Sequence, residues 1–386
     1  MAQGPAHGGL RVMVDPQIFC HQRFGGVSRY FCSMALQLRQ LPGIEPLIVA
    51  PFHFNEYLEQ LPPALVRGRR LRWLEGHTAL AYGLSVLPAM RAARRGRPDI
   101  LHSTYYFPVR APAGTRGILT IYDMIHEKFP EYFGPQPTIS RLKAASVARA
   151  DHIICISQST RRDVLEAYDI APERVSVTHL GFDPLQSLLS GEPGVEFRTR
   201  VLGSDTPYLL YVGSRPGHKN FAGLLEAFGA SAWLRENFLL LCFGGGDFSA
   251  SEHQAIAAAG AAGRVRQLGG SDAVLAAAYA HAALFVCPSF YEGFGIPLLE
   301  AMSLDCPVAC SNSSSLPEVA GEAARLFDPT DRESIRAALE AVLNSPAVAA
   351  DLRARGRIRR EGFSWRQCAL DTAQIYRRVC GLPPQP

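Results

Sequence analysis

The stretch ALFVCPSFYEGFGIPLLEAM, residues 283–302, ends an apolar run on Pro–Ser, turns through two glycines and re-enters an apolar pattern at a proline. Its first seven residues read as a strand covered on both faces, as in a parallel sheet. Pro297 suits the first turn of a helix, and the glycines suit the turn before it. A strand running through a glycine turn into a helix is the repeating unit of a doubly wound α/β fold. Backbone N–H groups around Gly293, Phe294 and Gly295 then lie at a helix N-terminus, where hydroxyl or phosphate oxygens can be held. Glu292 and Glu300 bracket the turn eight positions apart. Glu300 can accept two hydrogen bonds from a vicinal diol such as a ribose. Spacing alone favours a plainer reading, with Glu300 a partner of the helix dipole and Glu292 a surface acid.

The same unit recurs on both sides of this stretch. PYLLYVGS (207–214), FLLLCFGGG (238–246) and VRQLGG (265–270) are apolar runs ending in Gly or Ser. In the first half, RVMVD (11–15), GILTIYD (117–123) and HIICIS (152–157) read as buried strands. After the first comes the loop PQIFCHQRFGG, then a helix with Val27, Tyr30, Phe31, Met34, Ala35 and Leu38 at helical spacing. Ser157 or Ser159 caps the helix after HIICIS. Residues 184–206 are richer in Pro, Gly and Ser and read as a linker. Trp365, Cys368, Ala369, Thr372, Ile375, Tyr376 and Val379 give the closing segment a helical period.

At 386 residues the chain exceeds the size at which one core keeps growing, so two domains are expected. The reading is α/β, with two doubly wound Rossmann-like domains, 1–185 and 206–363, and a terminal helical segment, 364–386. Facing domains of this kind hold their ligand at the strand ends, in the cleft between them.

Charge is uneven. Residues 1–190 carry 21 Lys/Arg against 15 Asp/Glu, and the excess concentrates in LVRGRRLRWLEG (65–76) and RAARRGRP (91–98). Such segments are either solvated surface or a draw for an anionic partner, with a membrane surface or a lipid phosphate ahead of nucleic acid. No zinc-finger spacing or interleaved aromatics accompany them, so nucleic acid is set aside. The nine cysteines show neither a disulfide framework nor metal-ligand spacing, and most sit in apolar runs. No signal peptide is evident, and no apolar run approaches the roughly 20 residues of a spanning helix. The chain is expected to be cytoplasmic and at most peripheral to a membrane.

The 291–302 stretch resembles the E-x7-E signature of retaining, nucleotide-sugar-dependent glycosyltransferases of the GT-B fold, family 4. VDPQIFCHQRFGGVSRY (14–30) resembles that family's first strand and glycine loop, and YVGSRPGHKN (211–220) its phosphate-binding stretch. CPVACSNSSSLPEVAGEAARLFDPTD (306–331) resembles the segment after the acid motif. FSWRQCALDTAQIYRRV (363–379) resembles the terminal helix that crosses back to the N-terminal domain. The ordered match spans about residues 11–380.

The resemblance implies roles. Glu300 binds the donor ribose; Glu292, with the backbone of Gly293, Phe294 and Gly295, holds the donor sugar. Lys219, with Arg215 nearby and Ser214 beside it, neutralises the diphosphate. The family often has Arg immediately before the Lys; here His218 stands there. Gly25 and Gly26 form the loop meeting donor phosphate and acceptor, without the G-x-G-x-x-G spacing of a dinucleotide fingerprint. In TIYDMIHEKFP (120–130), the family's His-Asp pair is replaced by Tyr122-Asp123, with His126 three residues on. Either His126 takes over the histidine's role or Tyr122 contributes only shape and backbone; Asp123 is the firmer site residue.

The activity implied is retaining transfer of a sugar, with GDP-mannose as first donor, to a growing surface-glycan acceptor on a lipid carrier. Peripheral contact with anionic membrane goes with it. No DxD motif is present and no metal or other cofactor is expected. The alternatives are a sugar-nucleotide epimerase on the same architecture and an inactive GT-B-like protein binding a nucleotide or a partner.

Overall fold

The computed structural model describes residues 8–133, 138–189, 191 and 194–384. It divides into two compact units: one ends at Gly181 and resumes at Ser364, and the other runs Phe182–Phe363.

The first unit is built on seven parallel strands: β1 (Leu10–Val14), β2 (Ile44–His53), β3 (Val66–Arg70), β4 (Ile100–Ser103), β5 (Arg116–Ile121), β6 (His152–Cys155) and β7 (Val175–Val177). Their spatial order is β3-β2-β1-β4-β5-β6-β7, so the winding reverses between β1 and β4. In an open α/β sheet that reversal opens a crevice at the strands' carboxyl ends. The helix Gly26–Leu38 follows β1 and buries Tyr30, Phe31, Met34, Ala35 and Leu38 as its periodicity assigned, while Val27, in its first turn, is only half-buried. Ser157 is the cap after β6, accepting from Thr160 N–H.

The second unit repeats the plan with six strands: β8 (Tyr208–Val212), β9 (Leu239–Phe243), β10 (Val265–Leu268), β11 (Leu284–Cys287), β12 (Val308–Ser311) and β13 (Arg325–Phe327). The order is β10-β9-β8-β11-β12-β13, parallel throughout, with its reversal between β8 and β11. The expected strand at 283–289 is β11, and all four of its residues are buried. The segment 184–206 is not the plain linker its composition suggested. It carries a 3-10 turn, Leu185–Leu188, and a helix, Gly194–Leu202, that buries Phe197 and Leu202 within the second unit. Residues 190, 192 and 193 of that segment lie outside the described residues.

The terminal helix, Trp365–Val379, belongs to the first unit and packs on Gly26–Leu38. It buries Trp365, Cys368, Ala369, Thr372, Ala373, Ile375 and Tyr376. A Cβ on Gly181 would stand 2.2 Å from the Trp365 nitrogen, so only glycine admits the helix start there. Tyr376 Oη lies 2.6 Å from His102 Nδ1, and His102 Nε2 lies 2.8 Å from Thr120 Oγ1. Burial pushes His102 down to about 3, so the ring is neutral inside the fold. Tyr376→Phe strands one ring nitrogen without water. The expected cost is about 1–3 kcal/mol, read as a lower urea midpoint for the first unit.

All nine cysteines are free thiols, and eight are buried. Among the described residues no helix is long and apolar enough to cross a membrane.

Candidate functional site

In the second unit, the expected residues gather where β8 and β11 end. Beyond β8 the chain turns through Gly213 at φ 127, then enters a short 3-10 turn, Gly217–Lys219. Asn220 follows in the left-handed region, capping the helix Phe221–Ala230 through Gly223 N–H. The Asn220 amide also donates to the carbonyls of Pro288 (3.1 Å) and Pro329 (2.8 Å). Phe290 N–H donates to the His218 carbonyl at 2.8 Å, so the two strand ends are bonded to each other.

That geometry puts Lys219 on Glu292. Lys219 Nζ donates to Glu292 Oε1 at 2.7 Å and to Oε2 at 2.9 Å, and Ser289 Oγ donates to Oε1 at 2.7 Å. Both side chains keep some exposure, 25% and 15%, so the pair is reachable by a ligand. Glu300 stands on the helix Ile296–Ser303, whose N-cap is Gly295 at φ 111. A Cβ there would lie 2.9 Å from Leu316 Cδ2, a second reason for glycine. Glu300 Oε2 accepts from the buried Tyr279 hydroxyl at 3.2 Å. Burial first, then the Glu300 carboxylate, holds that phenol well above its ordinary range, so it stays a donor.

Arg215 does not take the expected place beside the diphosphate lysine. Its side chain is 3% exposed and bonds inward. Nε donates to Glu252 Oε1 at 2.5 Å, and the terminal nitrogens donate to the carbonyls of Gly244, Gly246 and Asp247. The guanidinium also lies 4.6 Å from the Phe248 ring centroid. It thus shapes the glycine turn after β9. Burial raises the Glu252 carboxyl, but Arg215 and the Ser249 N–H and hydroxyl outweigh it, bringing Glu252 down to about 2. A depressed carboxylate stabilises the fold above its unfolded value of 4.5 and loses that contribution as pH falls towards 2. Acid unfolding of the wild type should steepen in this window by about 2 kcal/mol relative to Glu252→Gln.

The serine run after β12 completes the second-unit site, and the sequence reading assigned those serines no role. Ser313 Oγ donates to the Phe290 carbonyl at 3.0 Å, and Ser314 Oγ accepts from Glu292 N–H at 2.9 Å. Ser315 Oγ donates to the carbonyls of Glu292 (2.7 Å) and Phe294 (2.8 Å). Three consecutive hydroxyls therefore fix the backbone on which Glu292, Gly293 and Phe294 sit. The signal was the serine run itself, directly after a buried strand.

The first unit presents a second group at its own strand ends. Gly25 is the N-cap of Gly26–Leu38, and a Cβ on it would collide with Gln22 Oε1 at 2.3 Å; Gly26 meets nothing within 4 Å. Gln22 Oε1 accepts from Ser28 N–H at 3.2 Å in place of a capping side chain. Asp123 follows β5, and its Oδ1 accepts from Ile125 N–H at 3.1 Å. The fully buried Lys143 donates to the Asp123 carbonyl (2.9 Å) and Glu127 Oε2 (2.7 Å), holding this loop from beneath. His126 packs its ring 4.3 Å from that of Phe133, and burial lowers its basicity. Tyr122 turns its hydroxyl back onto the Thr104 carbonyl at 2.8 Å, where it supports the sheet. Among the described residues no cluster of three His, Cys, Asp or Glu side chains is placed to hold a metal ion.

Residues 196–359 match the family described as "Glycosyl transferases group 1", and residues 24–185 match "Glycosyltransferase Family 4". The chain is 29% identical to the O-antigen chain mannosyltransferase B of Escherichia coli, covering 91% of this chain and 96% of that one. It is 28% identical to an alpha-maltose-1-phosphate synthase of Mycolicibacterium smegmatis, covering 96% and 100%. Among solved structures it resembles the sucrose-phosphate synthase of Thermosynechococcus elongatus, with a TM-score of 0.72 and 21% identity over 96% of this chain and 99% of that one.

Proposed function

Since the chain belongs to the group 1, family 4 glycosyltransferases and has their GT-B fold, we propose that it transfers mannose from GDP-mannose to a hydroxyl of a growing, lipid-linked surface glycan, with retention at the anomeric carbon. One observation carries the reading: Lys219 and Glu292 meet on a braced glycine turn, with Glu300 on the helix beyond it. A cation and an acid so placed can grip the diphosphate and sugar of a donor while Glu300 takes the ribose diol. The relative named for O-antigen mannosyl transfer, matched over nearly its whole length, supports the sugar and the acceptor class. The relative named for maltose-1-phosphate synthesis supports the alternative that a glucosyl donor is used, so the base and sugar are the variables to test.

In the proposed reaction the diphosphate leaves from the face on which the acceptor hydroxyl arrives. The departing phosphate oxygen takes the hydroxyl's proton. The protein supplies alignment and charge: Lys219 serves as countercharge to the leaving group, and Glu292 orients sugar hydroxyls. Asp123, His126 and the Gly25–Gly26 turn serve the acceptor and the donor phosphate. A peripheral contact with anionic membrane goes with a lipid-linked acceptor.

The test is thermal stabilisation by GDP, UDP, ADP and dTDP in parallel. A ligand at a hundred times its dissociation constant adds about 2.7 kcal/mol. A melting shift with GDP and none with the others supports the assignment. A shift only with ADP or UDP moves the donor away from GDP-mannose, and no shift with any of them overturns the donor site.

A further inference from the structure

One helix of the first unit carries an exposed leucine stripe. Thr78–Gly96 buries Ala81, Ser85, Ala89 and Ala93, leaves Tyr82, Val86 and Met90 half-buried and turns three leucines outward. Leu80, Leu84 and Leu87 are 47%, 40% and 64% exposed. At 100° per residue, Leu80, Leu84, Leu87, Arg91, Arg94 and Arg95 fall within an arc of about 100°, and the four small residues lie opposite. Small residues let the helix lie close on β2, where the Ser85 hydroxyl both donates to the Phe52 carbonyl and accepts from Phe52 N–H. Burying alanines while exposing leucines reverses the ordinary partition, so the outer face needs a partner.

Charge says which partner. Residues 76–98 contain no Asp or Glu but hold Arg91, Arg94, Arg95 and Arg97. Among the described residues Arg91, Arg94 and Arg95 enter no ion pair. The acids that flank the segment are already engaged, Glu75 with Arg23 and Asp99 with Arg11. Trp73, 62% exposed, sits on the 3-10 turn Arg72–Leu74 that packs against this helix. Beside it, Arg67 and Arg69 stand exposed on the edge strand β3. A leucine stripe with arginines at one end and a tryptophan near the other has the make-up of a helix lying in a bilayer interface. A second copy of the chain fits less well, because residues 76–98 offer no acid to pair with the arginines of another copy.

We propose that the outer face of Thr78–Gly96 seats the protein on an anionic lipid bilayer, with Leu80, Leu84 and Leu87 in the acyl boundary and Arg91, Arg94 and Arg95 on lipid phosphates. The proposal deepens the lipid-linked acceptor reading, which gives a transferase reason to sit there. Its evidence is the surface itself.

The experiment is co-sedimentation of the full chain with vesicles of equal parts phosphatidylglycerol and phosphatidylcholine, or of phosphatidylcholine alone. The variants are Leu84→Ser/Leu87→Ser and Arg91→Gln/Arg94→Gln/Arg95→Gln. The wild type should prefer the anionic vesicles, and added salt should weaken it. Each arginine near such a surface contributes about fivefold, so the triple variant should bind about a hundredfold more weakly. The leucine pair should cost at least about tenfold. All five substituted side chains are exposed, so both variants should keep the wild-type melting temperature and nucleotide-induced shift. Failure of the wild type to bind anionic vesicles overturns the proposal, as does wild-type binding by both variants. A dimer that dissociates only in the leucine variant would assign the face to a second copy. Vesicle binding without any nucleotide shift would leave this surface standing and remove the transferase reading instead.

Discussion

Glu292→Ala should lower turnover by about a thousandfold while leaving the nucleotide-induced melting shift near the wild-type value. The Glu292 carboxylate faces Lys219 and Ser289, and its remaining lone pairs are the acceptors open to a sugar hydroxyl. Removing a preorganised charge that acts on the reacting sugar typically costs about 3–4 kcal/mol in the transition state. Loss of Glu292 also releases Lys219 from a two-point contact, so the lysine no longer waits at one position. The two residues should therefore behave as a unit: Lys219→Ala/Glu292→Ala should be far less impaired than the product of the single effects. Additive effects would mean that the contact has no part in catalysis. The readouts are single-turnover rates with the matched donor and melting curves with the nucleoside diphosphate.

Glu300→Ala should have the complementary signature. A diol hydrogen-bonded to one carboxylate through both hydroxyls is worth about 3 kcal/mol, so nucleotide affinity should fall about a hundredfold. Titration calorimetry with the nucleoside diphosphate reads this directly, and equal affinities would remove the ribose assignment. Tyr279→Phe offers a graded companion, since the phenol donates to the same carboxylate at 3.2 Å. It should weaken binding by a smaller factor, because Glu300 stays in place and loses only one orienting bond.

How much of this was legible in the sequence depended on the length of each signal. The strand ends at Gly213, Gly244 and Ser289 stood out because a buried apolar run met a glycine or serine. β7 and β13 are three residues each, too short for composition to mark them as strands. β2 is longer but carries Pro46 and Pro51, which read as interruptions. The contact between Lys219 and Glu292, 73 residues apart, follows from the adjacency of β8 and β11, which no local pattern reports. Arg215 shows the opposite failure. Its position beside a phosphate-type loop suggested a ligand contact, but Glu252, 37 residues on, claims the guanidinium. A sequence shows that a charge exists; only the fold shows what it faces. The partners of Ser313, Ser314, Ser315 and the buried Lys143 were unreadable for the same reason, since they are backbone groups and one acid brought close by packing.

The return of Trp365–Val379 to the first unit sets an order on how the chain can be made. The second unit is continuous in sequence and has all its residues once Phe363 has been synthesised. The first unit begins emerging earlier, yet the helix that covers Tyr30 and pairs with His102 appears only after the whole of the second unit. The half that starts first is thus completed last. Until then, the surface on Gly26–Leu38 that receives this helix is open to other apolar chains. Slowed elongation after Phe363 would prolong that exposure, leaving a nascent chain with its second unit folded and its first unit dependent on chaperones.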